Sequence, residues 1–136
     1  MIDWRVLVPI KQGKDGKSRL GDLLESEART DLAERMAAHV LDVLTSLFPP
    51  EGITILSPVR PAGWQGGWVQ DEGRGLNAEL SAWRESQGKA PILILFADLP
   101  LLSAHDVQAL LDLAGTGAVL ATDTAGQGTN ALAIAD

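Results

Sequence analysis

The chain has 136 residues, with 11 Lys and Arg against 18 Asp and Glu, so its formal net charge is −7. That balance argues against nucleic acid and anionic membranes as partners. The absence of cysteine excludes a disulfide scaffold, thiolate metal sites and a cysteine nucleophile. A hydrophobic fraction of 46% and a mean hydropathy of +0.08 fit one soluble, cytoplasmic globular domain over residues 1–136. With only His39 and His105, a histidine-rich metal site is not expected. Asp3 and Arg5 interrupt the first apolar stretch, which speaks against a signal peptide. No apolar run approaches the ~20 residues of a membrane helix.

Val6-Leu7-Val8-Pro9-Ile10 predicts a buried strand ending at Pro9 or Ile10. Lys11 to Gly16, with two glycines and two lysines, predicts a loop. From about Ser26 to Leu47 the apolar residues Leu32, Met36, Val40, Val43, Leu44 and Leu47 follow helical spacing, and Pro49-Pro50 ends that helix. Ile53 to Leu56 predicts a second strand and Trp68 to Gln70 a short third, after a Pro-, Gly- and Trp-rich loop. Leu76, Leu80 and Trp83 mark a three-turn helix behind Gly73-Arg74-Gly75. Ile92 to Ala97 is apolar on both faces, as a central parallel strand requires. Ser103 opens a helix with a shortened capping box to Asp106 and a staple between Leu102 and Val107. Ala118 to Ala121 and Ala131 to Ala135 predict the last strands. Strands alternating with helices imply an α/β fold with a mostly parallel sheet and helices on both faces.

In such sheets ligands bind beyond the carboxyl ends of the strands. Four groups of polar residues fall there. Lys11, Lys14, Lys17 and Arg19 form a basic, glycine-containing loop suited to a polyphosphate; a solvated basic loop explains them equally well. Gly73 and Gly75 bracket a turn into a helix whose first turn holds Asn77. Such amides can meet a base or phosphate, although a plain loop-to-helix turn has the same look. Asp98 ends the most apolar strand. Desolvating a carboxylate is unfavourable unless it is paired, so Mg²⁺ is a natural partner; a turn or capping aspartate is the bland alternative. Asp123, Thr129 and Asn130 surround a glycine-rich loop that could hold an oxyanion or simply form a hairpin turn. His39 reads as a surface or packing histidine, His105 is open, and Trp64 and Trp68 could cover the core, line a pocket or meet a partner.

Taken in order, "VPIK" followed by "KSRL", then "GLNAEL", "FADLPLL" and "D-x-x-G-x-GTNAL" make the chain resemble the CofC family. These are 2-phospho-L-lactate and phosphoenolpyruvate guanylyltransferases of coenzyme F-420 biosynthesis, within the MobA-like nucleotidyltransferases. The resemblance runs over essentially the whole chain. It implies a three-layer Rossmann-like nucleotidyltransferase (GT-A-like) fold and transfer of GMP from GTP to a small phosphoacid with release of pyrophosphate. The phosphoacid would be 2-phospho-L-lactate, phosphoenolpyruvate or 3-phosphoglycerate, and a partner transferase would take the product. It also implies site roles. Lys11, Lys17 and Arg19 would be catalytic, Lys11 meeting the acceptor and the other two the GTP phosphates. Gly73, Gly75 and Asn77 would bind the nucleotide, and Thr129 and Asn130 the acceptor with Lys11. Asp98 would hold Mg²⁺, with Asp123 as a second metal-side candidate. Family members continue into an "F-G-x-x-S" segment and a further helix, so this chain is expected to be short at its C-terminus. That departure keeps two alternatives open, a non-catalytic nucleotide- or partner-binding module and a nucleotidyltransferase for another acceptor. The final strand is expected to leave an exposed edge, which a second copy could pair in a homodimer.

Overall fold

The computed structural model describes residues 4–10, 20–99, 102–115, 117–122 and 129–135. In chain order the elements are β1 (Arg5–Pro9), α1 (Leu20–Leu47), a 3-10 turn (Pro50–Gly52), β2 (Ile53–Ser57), β3 (Gly67–Gln70), α2 (Leu76–Ser86), β4 (Ile92–Leu95), α3 (Ala104–Ala114), β5 (Ala118–Thr122) and β6 (Thr129–Ile134). The six strands form one sheet in the order β3-β2-β1-β4-β6-β5. The first four run parallel, pairing Val6 with Ile53 and with Leu93, while β6 runs antiparallel to both β4 and β5.

The two faces of the sheet are covered differently. Val6, Val8, Leu93 and Leu95 point to one side, where they meet Val40 and Leu44 of α1 and Val107, Leu110 and Leu111 of α3. Leu7, Leu56, Ile92 and Ile94 point to the other, where Trp83 and Leu80 of α2 lie. Burial on both faces is why these strands read as unbroken apolar runs. Each fully buried Leu, Ile or Val contributes about 1.5–3 kcal/mol through removal from water. No helix among the described residues is long and apolar enough to cross a membrane.

Several expectations are corrected. Helix α1 begins at Leu20, six residues earlier than the apolar period indicates. Leu32 of the expected apolar stripe is 56% exposed, whereas Val40 and Leu44, and Ala37 beside them, are buried. β4 stops at Leu95 rather than Ala97; Phe96 keeps one bond, its amide donating to the Asn130 carbonyl at 3.1 Å. β6 begins at Thr129, two residues before the expected start, and it is not an edge. It lies between β4 and β5, and β5 takes the edge, because the reversal between the last two strands inserts β6 into the sheet.

The topology fixes where a ligand can sit. From β1 the chain steps outward to β2 and β3, then returns to lay β4 on the opposite side of β1. The carboxyl ends of β1 and β4 therefore flank the switch point, where the strand order reverses and a ligand crevice is expected.

Candidate functional site

A cavity of about 290 Å³ occupies that switch point, lined by Pro9, Ile10, Met36, Leu76, Phe96, Ala97 and Asp98. Pro9 and Ile10 come from the end of β1, and Phe96, Ala97 and Asp98 follow β4. The Ile10 amide donates to the Leu56 carbonyl at 2.8 Å, extending the ladder one residue past β1. Asp98 is exposed at the rim. The expectation that burial demands a partner for this carboxylate is thereby corrected: it stays in water because the strand ends beneath it. Among the described residues no cation pairs with it, and no group of three or more His, Cys, Asp or Glu could hold a metal ion.

The nucleotide-side candidates approach from α2. Leu76, its first residue, lines the crevice, and Asn77 beside it is exposed. Gly75 precedes the helix at φ +99° and Gly73 turns the loop at φ +79°, conformations that side chains resist. The N-cap residue Gly75 gives α2 no side-chain cap, so the first amides of the helix lack that partner.

A residue that sequence reasoning missed organises this loop. Glu79 is 2% exposed, one turn into α2. Its Oε2 accepts from the Glu72 amide at 2.6 Å. Its Oε1 accepts from Arg74 Nε at 3.1 Å and from Nη2 at 2.5 Å. The Arg74 hydrogen bonds and the Glu72 amide hold the Glu79 carboxyl below its ordinary value, outweighing burial. The same contact raises Arg74. Asp71 Oδ1 accepts from the Gly73 amide at 2.9 Å, and the Asp71 amide donates to the Ser57 carbonyl at 2.9 Å. The missed signal is spacing: Glu79 sits three residues after Leu76 and four before Trp83, on the helix stripe that faces the sheet.

The acceptor candidates stand apart from that crevice. Thr129 opens β6 in register with Thr122. Asn130 lines a second, more open cavity of about 480 Å³, shared with Leu99, Leu102 and Leu110 among others. Both residues nonetheless lie at the carboxyl edge of the sheet, since β6 starts where β4 ends. Lys11, Lys17, Arg19 and Asp123 lie outside the described residues.

The histidines and tryptophans are now placed. His39 Nε2 donates to the Leu102 carbonyl at 2.6 Å, fastening α1 to the segment that follows Asp98. His105 is exposed in the first turn of α3. Trp64 packs against the core on the α1 side and donates to the Gly67 carbonyl at 2.8 Å. Trp68 donates to Ser57 Oγ at 3.1 Å. Both indoles therefore brace β2 and β3.

A mostly parallel six-stranded sheet with helices on both faces and a crevice at its switch point is a Rossmann-like nucleotidyltransferase fold. A solved structure named as a nucleotide-diphospho-sugar transferase, from Desulfovibrio desulfuricans G20, matches with a TM-score of 0.72 at 19% identity, over 99% of this chain and 64% of that one. Residues 4–136 match the family model described as guanylyl transferase, CofC-like, and the chain belongs to that family. It is 38% identical to a phosphoenolpyruvate guanylyltransferase of Rubrobacter xylanophilus, over 93% of this chain and 66% of the relative. It is 37% identical to one of Chloroflexus aggregans, over 95% and 70%. A 2-phospho-L-lactate guanylyltransferase of Methanocella arvoryzae is 30% identical, over 93% and 54%. The chain thus spans 66%, 70% and 54% of the lengths of these relatives.

Proposed function

We propose that this protein transfers GMP from GTP to the phosphate of a small phosphoacid, phosphoenolpyruvate or 2-phospho-L-lactate, and releases pyrophosphate. The observation that carries the reading is the crevice between β1 and β4, with the Asp98 carboxylate on one rim and the start of α2 on the other, in a chain of this family. An acceptor phosphate oxygen would attack the α-phosphorus of GTP. The new P–O bond forms as the bond to the bridging oxygen of the β-phosphate breaks, and that oxygen leaves with pyrophosphate. The acceptor is already an anion, so no general base is required.

The chemical problem is repulsion between two anions. Lys11, Lys17 and Arg19, reached from the end of β1, would offset it and stabilise charge developing on pyrophosphate. Gly73, Gly75 and Asn77 would take the nucleotide, and Thr129 and Asn130 would meet the acceptor from the β6 side. An exposed carboxylate of hard oxygen donors suits Mg²⁺, which binds through one or two carboxylates and otherwise through phosphate oxygens and water. Asp98 would hold it, with Asp123 as a second candidate, and the ion would supply neutralisation of the triphosphate. Placement of the reaction in coenzyme F-420 biosynthesis, with a partner transferase taking the product, belongs to the same proposal.

Pyrophosphate release with GTP and Mg²⁺ tests it against phosphoenolpyruvate, 2-phospho-L-lactate and 3-phosphoglycerate. Release that needs both GTP and one of these acids is expected. GTP binding by calorimetry without release from any of them would make the chain a nucleotide-binding module instead.

A further inference from the structure

Glu79 has no place in the transfer chemistry, yet it is the most buried charged side chain of the described residues and accepts three hydrogen bonds from one loop. A buried ion pair is a weak source of net stability, because desolvation offsets most of its attraction. An apolar residue at this position, beside Trp83 on the sheet-facing stripe, would satisfy the fold as well. What the carboxylate adds is geometry. It draws the Glu72 amide and the Arg74 guanidinium to one point and so folds residues 71–75 back over the start of α2. The loop is fixed at its other end by the Asp71 amide on the Ser57 carbonyl. The two positive-φ glycines permit this path without selecting it. Leu76, directly after the loop, forms a wall of the crevice.

We propose that Glu79, with Arg74, is a positioning residue that sets nucleoside triphosphate binding by holding the loop before α2 in a single shape. This rests on the guanylyl-transfer reading above. It assigns neither residue a contact with the reacting atoms. The carboxylate acts through the placement of Gly75 to Asn77, the nucleotide side of the proposed site, which follows directly on the loop it holds.

The test is steady-state pyrophosphate release with Mg²⁺, GTP and phosphoenolpyruvate, together with thermal unfolding, for wild type, Glu79→Gln and Arg74→Ala. Both variants are expected to raise KM for GTP about tenfold, the loss that follows from unpairing one buried polar group. The turnover number and the KM for the phosphoacid should stay near wild type. Arg74→Lys should recover part of the GTP affinity. If Glu79→Gln does not fold, Glu79→Asp, which keeps the charge but shortens its reach to the Glu72 amide, takes its place beside Arg74→Ala, whose side chain is half-exposed. A lowered melting temperature with an unchanged KM for GTP would overturn the proposal and leave a structural role. An effect of Arg74→Ala with Glu79→Gln silent would also overturn it, since the arginine would then touch the nucleotide itself. Wild type without release from any phosphoacid would refute the guanylyl-transfer reading, and this proposal would fall with it. Active wild type with unaffected variants would refute this proposal alone.

Discussion

His39→Ala removes the imidazole that links α1 to the segment between Asp98 and α3. Its Nε2 donates to the Leu102 carbonyl at 2.6 Å, and Leu102 itself is half-buried. The Leu102 amide in turn donates to the Leu99 carbonyl at 3.2 Å, so this turn is closed locally and tied to α1 by the His39 side chain. Removing one partner of such a bond leaves the other unsatisfied, at about 1–3 kcal/mol. For a domain of this length that corresponds to a melting temperature roughly 3–12 °C lower. Because the segment starts at Asp98, the loss should also raise the Mg²⁺ concentration needed for half-maximal turnover. Glutamine at position 39 places an amide near the Nε2 position and should restore part of both quantities. Thermal unfolding and Mg²⁺ titrations of wild type, His39→Ala and His39→Gln measure these effects. An unchanged melting temperature and Mg²⁺ requirement in His39→Ala would refute the reasoning.

Ser103→Ala removes one half of a reciprocal cap, in which Ser103 Oγ accepts from the Asp106 amide at 3.1 Å and Asp106 Oδ2 accepts from the Ser103 amide at 3.0 Å. It should destabilise the protein by ~1 kcal/mol in urea denaturation. Gly75→Ala forces a side chain onto a backbone at φ +99°, and should lose about 1–2 kcal/mol in the same assay. The acid dependence of stability should carry the signature of Glu79. Its carboxyl is held below the ordinary value of 4.5 by Arg74 first and the Glu72 amide second. The unfolded chain therefore takes up the proton at higher pH than the folded chain does. The contribution is complete above the unfolded value and disappears as pH falls through the lower folded one. Arg74 is the cation facing the carboxylate, with Glu72 and Asp71 as the nearby acids. The stability gap between wild type and Glu79→Gln should accordingly narrow below about pH 4.5; a gap that stays constant to pH 3 would contradict this ionisation.

The parallel core was legible because β1, β2 and β4 are buried on both faces, and a strand covered on both sides must be apolar at every position, as Ile92 to Leu95 is. The cap of α3 was legible for a local reason: Ser103 and Asp106 satisfy each other within one turn. The start of α1 was missed although Leu20, Leu23 and Leu24 already stand at helical spacing, because the basic, glycine-containing stretch before them reads as loop. The edge was misplaced because spacing along the chain does not reveal that β6 inserts between β4 and β5. Glu79 was hidden by its chemistry: a glutamate in a helix's first turn reads as solvent-exposed, and only the loop brought over it by Gly73 and Gly75 shows why it is buried. His39 was hidden in the same way, because its partner is a backbone carbonyl 63 residues away. The position of the crevice was readable because a mostly parallel sheet puts the carboxyl ends of β1 and β4 side by side at one edge.

Asp98→Asn, assayed for pyrophosphate release with GTP, phosphoenolpyruvate and Mg²⁺ beside wild type, meets the proposed chemistry most directly. The substitution preserves size and removes the charge at an exposed position, so folding should be unaffected while Mg²⁺-dependent release falls to background. Wild-type rates in a folded Asp98→Asn protein would take the carboxylate at the end of β4 out of the reaction and contradict the proposed site.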